Sequence, residues 1–237
     1  MVVVMRYGKV VSGTFISRPN RFIAYVEVDG EEQKVHVKNT GRCSGRCSEI
    51  LKPGCKVILE DSDNPSRKTR YDLIAAYKDG MLINIDSQAP NKAFGEWIAS
   101  SAYFGEDVII HPEHTLGDSR FDFMVESGDR RFLIEVKGVT QEHDGVCMFP
   151  DAPTERGLKH LRGLDEARAL GYETFIALIV QMKGMHLFVP NRETHPEFAD
   201  TLREVVEGGT GLLVLDCIVT EDSMSVDSDV PFDLSHS

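Results

Sequence analysis

Residues Phe121 to Gly138 read FDFMVESGDRRFLIEVKG, two apolar runs joined by the turn sequence Ser127-Gly128-Asp129. Two runs rich in β-branched and aromatic residues, separated by a short polar turn, are typical of a β-hairpin. Asp122, Glu135 and Lys137 nevertheless interrupt the apolar residues. Burying a charge costs free energy unless the charge is paired, hydrogen-bonded or bound to a metal. The stretch is therefore either a surface hairpin with a ladder of charges or a functional site.

The alternation of side chains along a strand predicts where these charges lie. Successive residues point to opposite faces, so Glu135 and Lys137 share one face of their strand. In the simplest hairpin register, Asp122 comes near Glu135 on one side of the sheet. Two close carboxylates repel each other and raise a pKa unless a cation lies between them. A hard cation such as magnesium would relieve the repulsion, and Lys137 could orient a water or stabilise charge developing on a phosphate.

The elements around the hairpin predict an α/β domain. Apolar residues at helical spacing predict a helix from about Lys92 to Phe104, with Asn91 available as its cap. A second helix is predicted within Asp151 to Gly171, which opens with Asp before Pro and stops at Gly. Further strands are predicted for VIIH, FIALIVQM, MHLFV and GLLVLDCIV, and a third helix for HPEFADTLREVVEGG. This order predicts a mixed sheet covered by helices over residues 87–222, and the acidic stretch 223–237 is expected to be loose.

The first 86 residues have a different pattern, with short β-rich runs separated by turn residues and no helical periodicity. Asp29-Gly30 between two alternating runs is a strong hairpin signal. Five or six short strands in this length favour a small closed barrel of the oligonucleotide-binding (OB) type. Such barrels also bind sugars and proteins, so the fold alone says little about function. The segment from Ser87 to Ala93 is interpreted as the linker between two domains.

The composition is that of an ordinary soluble globular protein, with 41% hydrophobic and 27% charged residues. The longest apolar run, FIALIV, is far shorter than the roughly 20 residues of a transmembrane helix. No secretory signal pattern is found at the start, so a cytoplasmic location is expected. Five cysteines, an odd number, indicate free thiols in a reducing compartment. Cys43, Cys47 and Cys55 lie in one loop, but neither a second CxxC pair nor a clearly placed histidine completes a zinc site.

The charge is distributed unevenly along the chain. A net charge of −12 argues against a nucleic-acid partner, because Lys and Arg are the residues that neutralise phosphates. Residues 1–90, however, carry 14 Lys and Arg against 11 Asp and Glu, whereas residues 91–237 carry 12 against 27. The mildly basic first part is therefore compatible with a domain that faces nucleic acid, or simply with a basic domain beside an acidic one.

The motifs together resemble one superfamily and, within it, one family. A helix Glu, a strand Asp and Glu-x-Lys in an αβββαβ order are similar to the PD-(D/E)XK nucleases, with Glu96, Asp122, Glu135 and Lys137 in the four positions. More specifically, the chain resembles the sugar fermentation stimulation protein family over nearly its whole length. The matching segments are RPNRF (18–22), HVKNTG (36–41), the Asn91 region, SRFDF (119–123), EVKGVT (135–140) and FPDAPTERGLKHL (149–161).

The resemblance implies a two-domain α+β fold. An OB-type β-barrel would occupy residues 1–86, and a restriction-endonuclease-like mixed sheet flanked by helices would occupy residues 87–222. DNA binding and a role in regulating sugar metabolism are also implied. In the nuclease-like site, Asp122 and Glu135, helped by Glu96 and the Val136 carbonyl, would hold magnesium or manganese, and Lys137 would position the attacking water.

Residues expected to contact nucleic acid lie in both predicted domains. A helix N-terminus near Asp151 would supply free N–H groups to phosphates, and basic residues follow it in the next turns. Arg156 and His160 are one turn apart and so share a face. The full set is Arg120, Arg156, Lys159 and His160 in the second domain, and Arg18, Arg21, Asn39 and Arg42 in the first. The alternatives are a solvated helix face for Lys159 and a structural Asn-Thr-Gly turn for Asn39 and Arg42.

Three functions remain open at this point. The first is a DNA-binding protein whose second domain is a metal-dependent phosphodiesterase. The second is a non-catalytic DNA-binding transcriptional regulator of sugar metabolism that keeps the nuclease scaffold. The third is an interaction or sugar-binding module that uses the barrel alone, which the net negative charge favours.

Overall fold

A closed β-barrel forms the first part of the chain in the computed structural model, which describes residues 4–39, 50–62, 64 and 66–235. After the two-residue strand β1 (Met5–Arg6), the strands of the closed ring are β2 (Val10–Asn20), β3 (Ile23–Val28), β4 (Glu31–Val37), β5 (Lys56–Asp61) and β6 (Tyr71–Lys78), and β7 (Met81–Asn84) pairs with β6 outside the ring. β4 and β6 close the ring through the parallel pairs His36–Asp72 and Val37–Leu73. The OB-type barrel inferred from the sequence is confirmed.

The turn between β3 and β4 follows the sequence signal. Asp29 and Gly30 have φ angles of 53° and 82°, the left-handed region that a two-residue hairpin turn of this kind requires at both central positions. Gly30 adopts this conformation without steric cost because it has no Cβ. The predicted Asp-Gly hairpin is therefore confirmed.

A second, larger sheet with three helices follows the barrel. Its elements, in chain order, are α1 (Ala89–Ser101), β8 (Ile109–Leu116), β9 (Ser119–Ser127), β10 (Arg130–Val139), β11 (Gln141–His143), β12 (Val146–Phe149), α2 (Glu155–Ala169), β13 (Glu173–Val180), β14 (Leu187–Pro190), α3 (Pro196–Glu207), β15 (Gly211–Val219) and β16 (Ser223–Asp229). The strand order is β1-β16-β15-β13-β10-β9-β8, with β10, β13 and β15 parallel and the other neighbours antiparallel. The expected mixed sheet flanked by helices is confirmed.

The acidic C-terminal stretch is not loose as far as the structure describes it, up to residue 235, contrary to the expectation for residues 223–237. Residues Ser223–Asp229 form strand β16, which pairs antiparallel with β15 and also with β1 at the start of the chain. The acidic stretch contains no Lys or Arg of its own. Lys183 neutralises part of its charge, because Lys183 Nζ lies 2.9 Å from Asp216 of β15 and also contacts Asp227 of β16. The pairing also places β1 in the second sheet, although the sequence assigned residues 1–86 to the barrel.

Two smaller differences concern local boundaries. α1 begins at Ala89, with Gln88 as its cap residue, so Asn91 lies inside the first turn and is not the cap. α2 begins at Glu155, because the Thr154 side chain accepts a hydrogen bond from Gly157 N–H at 2.9 Å and caps the helix there. Of the small sheet of β11, β12 and β14, only β14 was predicted, as the strand MHLFV, whereas β11 and β12 were not, because they are only three and four residues long.

Two apolar layers hold the second sheet. On one face, Phe94 and Ile98 of α1 pack with Phe132 and Ile134 of β10. On the other face, Leu133 packs with residues of α2 and α3, including Leu158, Leu161, Leu164 and Phe198. Alternate residues of β10 therefore pack against different helix layers, as expected for a strand that is buried on both faces. No helix in the described ranges is long and apolar enough to span a membrane.

The barrel and the second sheet are joined by buried polar contacts. Gln181 Nε2 donates to Asn84 Oδ1 and to the Asp86 carbonyl, each at 3.1 Å, and Asn84 N–H donates to the Gln181 carbonyl at 2.9 Å. Both apolar clusters also include barrel residues, for example Leu59 in one and Ile74 in the other. Gln181 N–H also donates to the Val139 carbonyl at 2.9 Å, so these contacts link the segment before α1 to the C-terminal end of β10.

Candidate functional site

Asp122 and Glu135 lie together where the β9–β10 ladder ends. The last paired residues are Phe123 and Ile134, and beyond them Asp122 Oδ2 accepts the main-chain N–H of Val136 at 2.7 Å. Asp122 Oδ1 accepts a hydrogen bond from Asn91 Nδ2, also at 2.7 Å. The side chain of Asp122 thus ends the ladder by taking the place of a strand partner. The structure brings the two predicted carboxylates together, and we call them the carboxylate pair.

The environment of Asp122 raises the pKa of its carboxyl group above the ordinary value. Burial is the main cause, and the negative charge of Glu135 adds to it. The hydrogen bonds from Val136 and Asn91 and the charge of Lys137 act in the opposite direction but do not outweigh these effects. A buried carboxylate beside another carboxylate therefore binds a proton, or another cation, more readily than a solvated one.

Glu135 is almost completely buried, with 2% of its surface exposed. Burial raises its pKa, but the hydrogen bond from His160 and the charge of Lys137 outweigh that effect, so the pKa is lowered overall. Both His160 Nδ1 and Lys137 Nζ contact the same carboxylate oxygen, Oε1. The other oxygen, Oε2, is buried and has no hydrogen-bond partner among the described residues. We call this atom the open oxygen of Glu135.

Lys137 lies where the alternation predicted, on the same face of β10 as Glu135. Its Nζ contacts Glu135 Oε1 and lies 3.2 Å from His160 Nδ1. The next residue, Gly138, permits a close approach of α1 and Gln181, since a Cβ there would lie 2.3 Å from Gln181 Oε1 and 2.8 Å from Pro90 Cγ. The Glu-x-Lys-Gly sequence therefore combines two polar side chains with a tightly packed backbone.

Glu96 is not joined to the carboxylate pair by any described contact. It lines a groove of about 770 Å³ that Asp122 and Asn91 also line. Burial raises the pKa of Glu96, and Met5 N–H and Lys92 partly oppose this effect. Its Oε2 is buried without a partner in the described part of the chain. The residue of α1 that contacts Asp122 is Asn91, which the sequence had suggested as a helix cap and as part of one segment that carries the family resemblance.

His160 is a correction to the predicted nucleic-acid contacts. It was expected to face phosphates from α2, but its ring is buried, with 8% exposed, and bonds Glu135. Arg156, one turn earlier, donates from Nε to His160 Nε2 at 3.4 Å, while the residue as a whole is exposed. The shared face of Arg156 and His160 was predicted from their spacing. The sequence did not show that this face points toward the carboxylate pair.

The other predicted phosphate contacts are scattered over the surface. Lys159 Nζ donates to the Asp118 carbonyl at 3.1 Å, and Arg120 Nη1 lies 3.8 Å from Glu113 Oε2. In the barrel, Arg18 donates to the carbonyls of Asn20, Arg21 and Asn39, so two of its three guanidinium nitrogens close a turn. The Arg21 guanidinium lies 4.5 Å above the exposed ring of Phe22.

Some predicted residues lie outside the described residues, namely Arg42, Cys43 and Cys47. Cys55, from the same sequence loop, is a half-buried free thiol whose pKa is raised mainly by burial. Within the described ranges, no group of three or more His, Cys, Asp or Glu side chains is arranged to hold a metal.

Comparisons with known proteins agree with this architecture. The model of the sugar fermentation stimulation protein RE domain matches residues 88–223, and that of the SfsA N-terminal OB domain matches residues 16–85. A sugar fermentation stimulation protein homolog of Desulfitobacterium hafniense is 53% identical over 220 residues, which cover 93% of this chain and 94% of that protein. The homolog of Clostridium beijerinckii is 48% identical over 222 residues, which cover 94% and 96%.

A solved structure is similar over nearly the whole chain. It is that of Pyrococcus furiosus SfsA in complex with Ca²⁺, with a TM-score of 0.85, and the match covers 97% of this chain and 98% of that one. The sequence identity is 24%, so this likeness shows the fold alone.

Proposed function

Because the chain belongs to the sugar fermentation stimulation protein family, we propose that it binds DNA and hydrolyses phosphodiester bonds with a divalent cation at Asp122 and Glu135. The proposal depends on the chemistry of the carboxylate pair. The family and the fold are shown by the comparisons, whereas the reaction is inferred from the residues at the site.

The open oxygen of Glu135 is the observation that carries the proposal. A buried polar atom without a hydrogen bond costs free energy, and a water or an ion bound at that atom would remove the cost. Because His160 and Lys137 both hold Oε1, the open oxygen is the atom of Glu135 that remains available. Asp122 adds two oxygens that each accept one hydrogen bond and keep a further lone pair.

The donor set fits magnesium or manganese. Hard cations bind oxygen ligands, and magnesium commonly uses one or two carboxylates together with waters. The N–H of Val136 donates to Asp122. In a β-strand, the N–H and C=O groups of one residue point to the same neighbouring strand. The Val136 carbonyl therefore faces the same side as Asp122, and we propose it as the third oxygen ligand of the cation. The Pyrococcus furiosus protein was solved with Ca²⁺, which shares this preference for oxygen ligands and so supports a divalent-cation site here.

The chain's own residues suggest the following division of roles. A bound divalent cation supplies Lewis-acid polarisation of a phosphoryl oxygen and lowers the pKa of a coordinated water. Asp122 and Glu135 would hold the cation. Lys137, beside Glu135 on the same face, would orient the attacking water or donate to a phosphate oxygen. The exposed side chains of Arg156 and Lys159 would bind flanking phosphates.

A plasmid-nicking assay tests this proposal. Supercoiled DNA is incubated with the protein in magnesium, manganese or EDTA, and nicking is expected only with a divalent cation. Glu135→Ala should abolish nicking. Glu126→Ala is the matched control, because Glu126 is a half-exposed carboxylate of β9 that contacts His111 and not the pair. Equal nicking by Glu135→Ala and the wild type would refute catalysis at this site.

One observation favours a second candidate, a non-catalytic DNA-binding regulator of sugar metabolism. Glu96 is not brought to the carboxylate pair by any described contact, so only two of the three predicted acidic ligands meet. In that case DNA binding should persist in EDTA and in Lys137→Ala. It should also weaken steeply as salt rises, because phosphate contacts release counterions. Retention on DNA in EDTA without any nicking in metal would support the regulator.

A further inference from the structure

We propose that Arg156 and His160 are positioning residues that fix the Glu135 carboxylate with Oε1 engaged and Oε2 open. The consequence for cation binding rests on the proposed function. The chain of hydrogen bonds from Arg156 through His160 to Glu135, which we call the relay, does not. Neither residue would touch the reacting atoms through this relay; each would act through the next group.

The hydrogen-bond donors assign the tautomer of His160. Arg156 Nε carries a hydrogen and can only donate, so His160 Nε2, at 3.4 Å, must accept. The ring proton of a neutral imidazole then lies on Nδ1, which contacts Glu135 Oε1 and donates to it, while Lys137 Nζ, 3.2 Å from the same nitrogen, donates to Glu135 Oε1 and not to the ring. Arg156 therefore selects the tautomer, and the tautomer directs an N–H group to one carboxylate oxygen.

This relay leaves the two oxygens of Glu135 in different states. Oε1 receives the His160 N–H and the Lys137 amine, while Oε2 has no partner among the described residues. A carboxylate with two donors on one oxygen cannot rotate without breaking both contacts. The open oxygen is thus held in place, as expected for a ligand whose orientation is set by groups behind it.

The sequence around His160 brings α2 close enough for this contact. The segment reads GLKHLRG, with Gly157 and Gly163 each three residues from His160. A Cβ at Gly163 would lie 3.1 Å from Ser119 Oγ and 3.2 Å from Phe121 Cζ of β9, and one at Gly157 would lie 3.2 Å from Phe198 of α3. Glycine inside a helix reduces helix stability. The close packing of α2 on both sides of His160 is a physical reason why glycine is present at positions 157 and 163.

The first experiment measures the tautomer in the metal-free protein. Ring ¹⁵N chemical shifts of histidine-labelled protein are recorded in EDTA over a pH series, because these shifts distinguish the two neutral tautomers from the doubly protonated ring. We expect His160 to carry its proton on Nδ1. Arg156→Met should convert it to a mixture of tautomers, and the control Lys159→Met, on the exposed face of the same helix, should not. A proton on Nε2 in the wild type would overturn the relay.

The second experiment measures the affinity of the whole protein for Mn²⁺ by calorimetry. His160→Asn keeps a donor near the Nδ1 position and should bind almost as well as the wild type. His160→Gln moves the donor outward and should bind about 10- to 100-fold more weakly, the usual effect of removing a partner behind a metal ligand. Melting temperatures of both variants identify any general loss of folding. Equal weakening by Asn and Gln would overturn the positioning role.

The two experiments separate the relay from the proposed function. If the wild type binds no Mn²⁺ but shows the Nδ1 proton and its dependence on Arg156, the metal-dependent function fails and the relay stands. If Mn²⁺ binds and Glu135→Ala abolishes binding while the tautomer is on Nε2, the function stands and the relay fails.

Discussion

Asn91 Nδ2 donates a 2.7 Å hydrogen bond to Asp122 Oδ1, which ties the first turn of α1 to β9. Asn91 is a neutral donor on a carboxylate that burial and the charge of Glu135 both disfavour. The contact therefore stabilises the ionised form of Asp122 without adding charge to the site. It also means that the position of α1 is set partly by a polar contact at the carboxylate pair.

Replacing Asn91 with Ala should destabilise the protein and raise the pKa of Asp122 further. The reason is that a half-buried carboxylate oxygen loses its donor, which costs about 1–3 kcal/mol in comparable cases. Urea unfolding at neutral pH measures the change. The control is Ser100→Ala on the same helix, where an exposed hydroxyl bonds the Glu96 carbonyl and the expected effect is within about 0.5 kcal/mol. Equal effects of the two substitutions would contradict this role of Asn91.

Asp122→Asn should stabilise the metal-free protein at neutral pH. The folded-state pKa of Asp122 is raised, so its stabilising contribution is present below the unfolded pKa of about 3.9 and is lost as pH rises through the folded pKa. Asparagine removes the charge that causes this loss. Unfolding free energies between about pH 4 and 8 in EDTA should show a gain that shrinks toward the acid end. A gain that is independent of pH would point to packing instead.

Glu135→Gln should change the stability of the metal-free protein in the opposite direction. The pKa of Glu135 is lowered in the folded state, so its contribution is present above the unfolded pKa of about 4.3 and is lost as pH falls through the folded pKa. The variant should therefore be less stable than the wild type at neutral pH, and the difference should close in acid. The same measurement, extended below about pH 4, covers the loss of this contribution, and a shared sign for the two variants would refute the assignment of opposite pKa shifts.

Lys137→Met should reduce the rate of DNA nicking by about 100-fold or more, the usual scale for losing a group that assists proton transfer. Single-turnover nicking measures the chemical step, and fluorescence anisotropy with labelled DNA in the presence of Ca²⁺ measures affinity. Affinity should change little if Lys137 acts on the reaction. Lys92→Met is the matched control, since Lys92 is an exposed lysine of α1 on the same groove as Asp122. Unchanged nicking in Lys137→Met would exclude this role.

Gly138→Ala should destabilise the protein by about 1–3 kcal/mol, the range found when extra atoms are forced into packed interiors. A Cβ there would meet Gln181 and Pro90 at distances that real Cβ atoms essentially never show, so the start of α1 would have to shift. Gly8→Ala is the control, because its Cβ would have only Glu60 Oε1 nearby, at 3.7 Å. Thermal unfolding distinguishes the two, and equal melting temperatures would show that α1 yields without cost.

The sequence by itself determined the parts of the fold that depend on local geometry. The two-residue period of a strand placed Glu135 and Lys137 on one face of β10, and the hairpin turn brought Asp122 to the same end. The Asp29-Gly30 turn followed from the backbone conformations that these residues tolerate. These inferences succeed because each involves residues close in the chain, whose relative positions are fixed by backbone dihedral angles.

Only the tertiary structure decided which distant residues complete the site. Asn91 reaches Asp122 because α1 packs against one face of the sheet, and His160 reaches Glu135 because α2 packs closely on the other. In the same way, the acidic stretch became strand β16 because β15 and β1 lie on either side of it, although β1 comes from the opposite end of the chain. Contacts of this kind depend on how whole elements pack together, which the period and composition of a single segment do not encode.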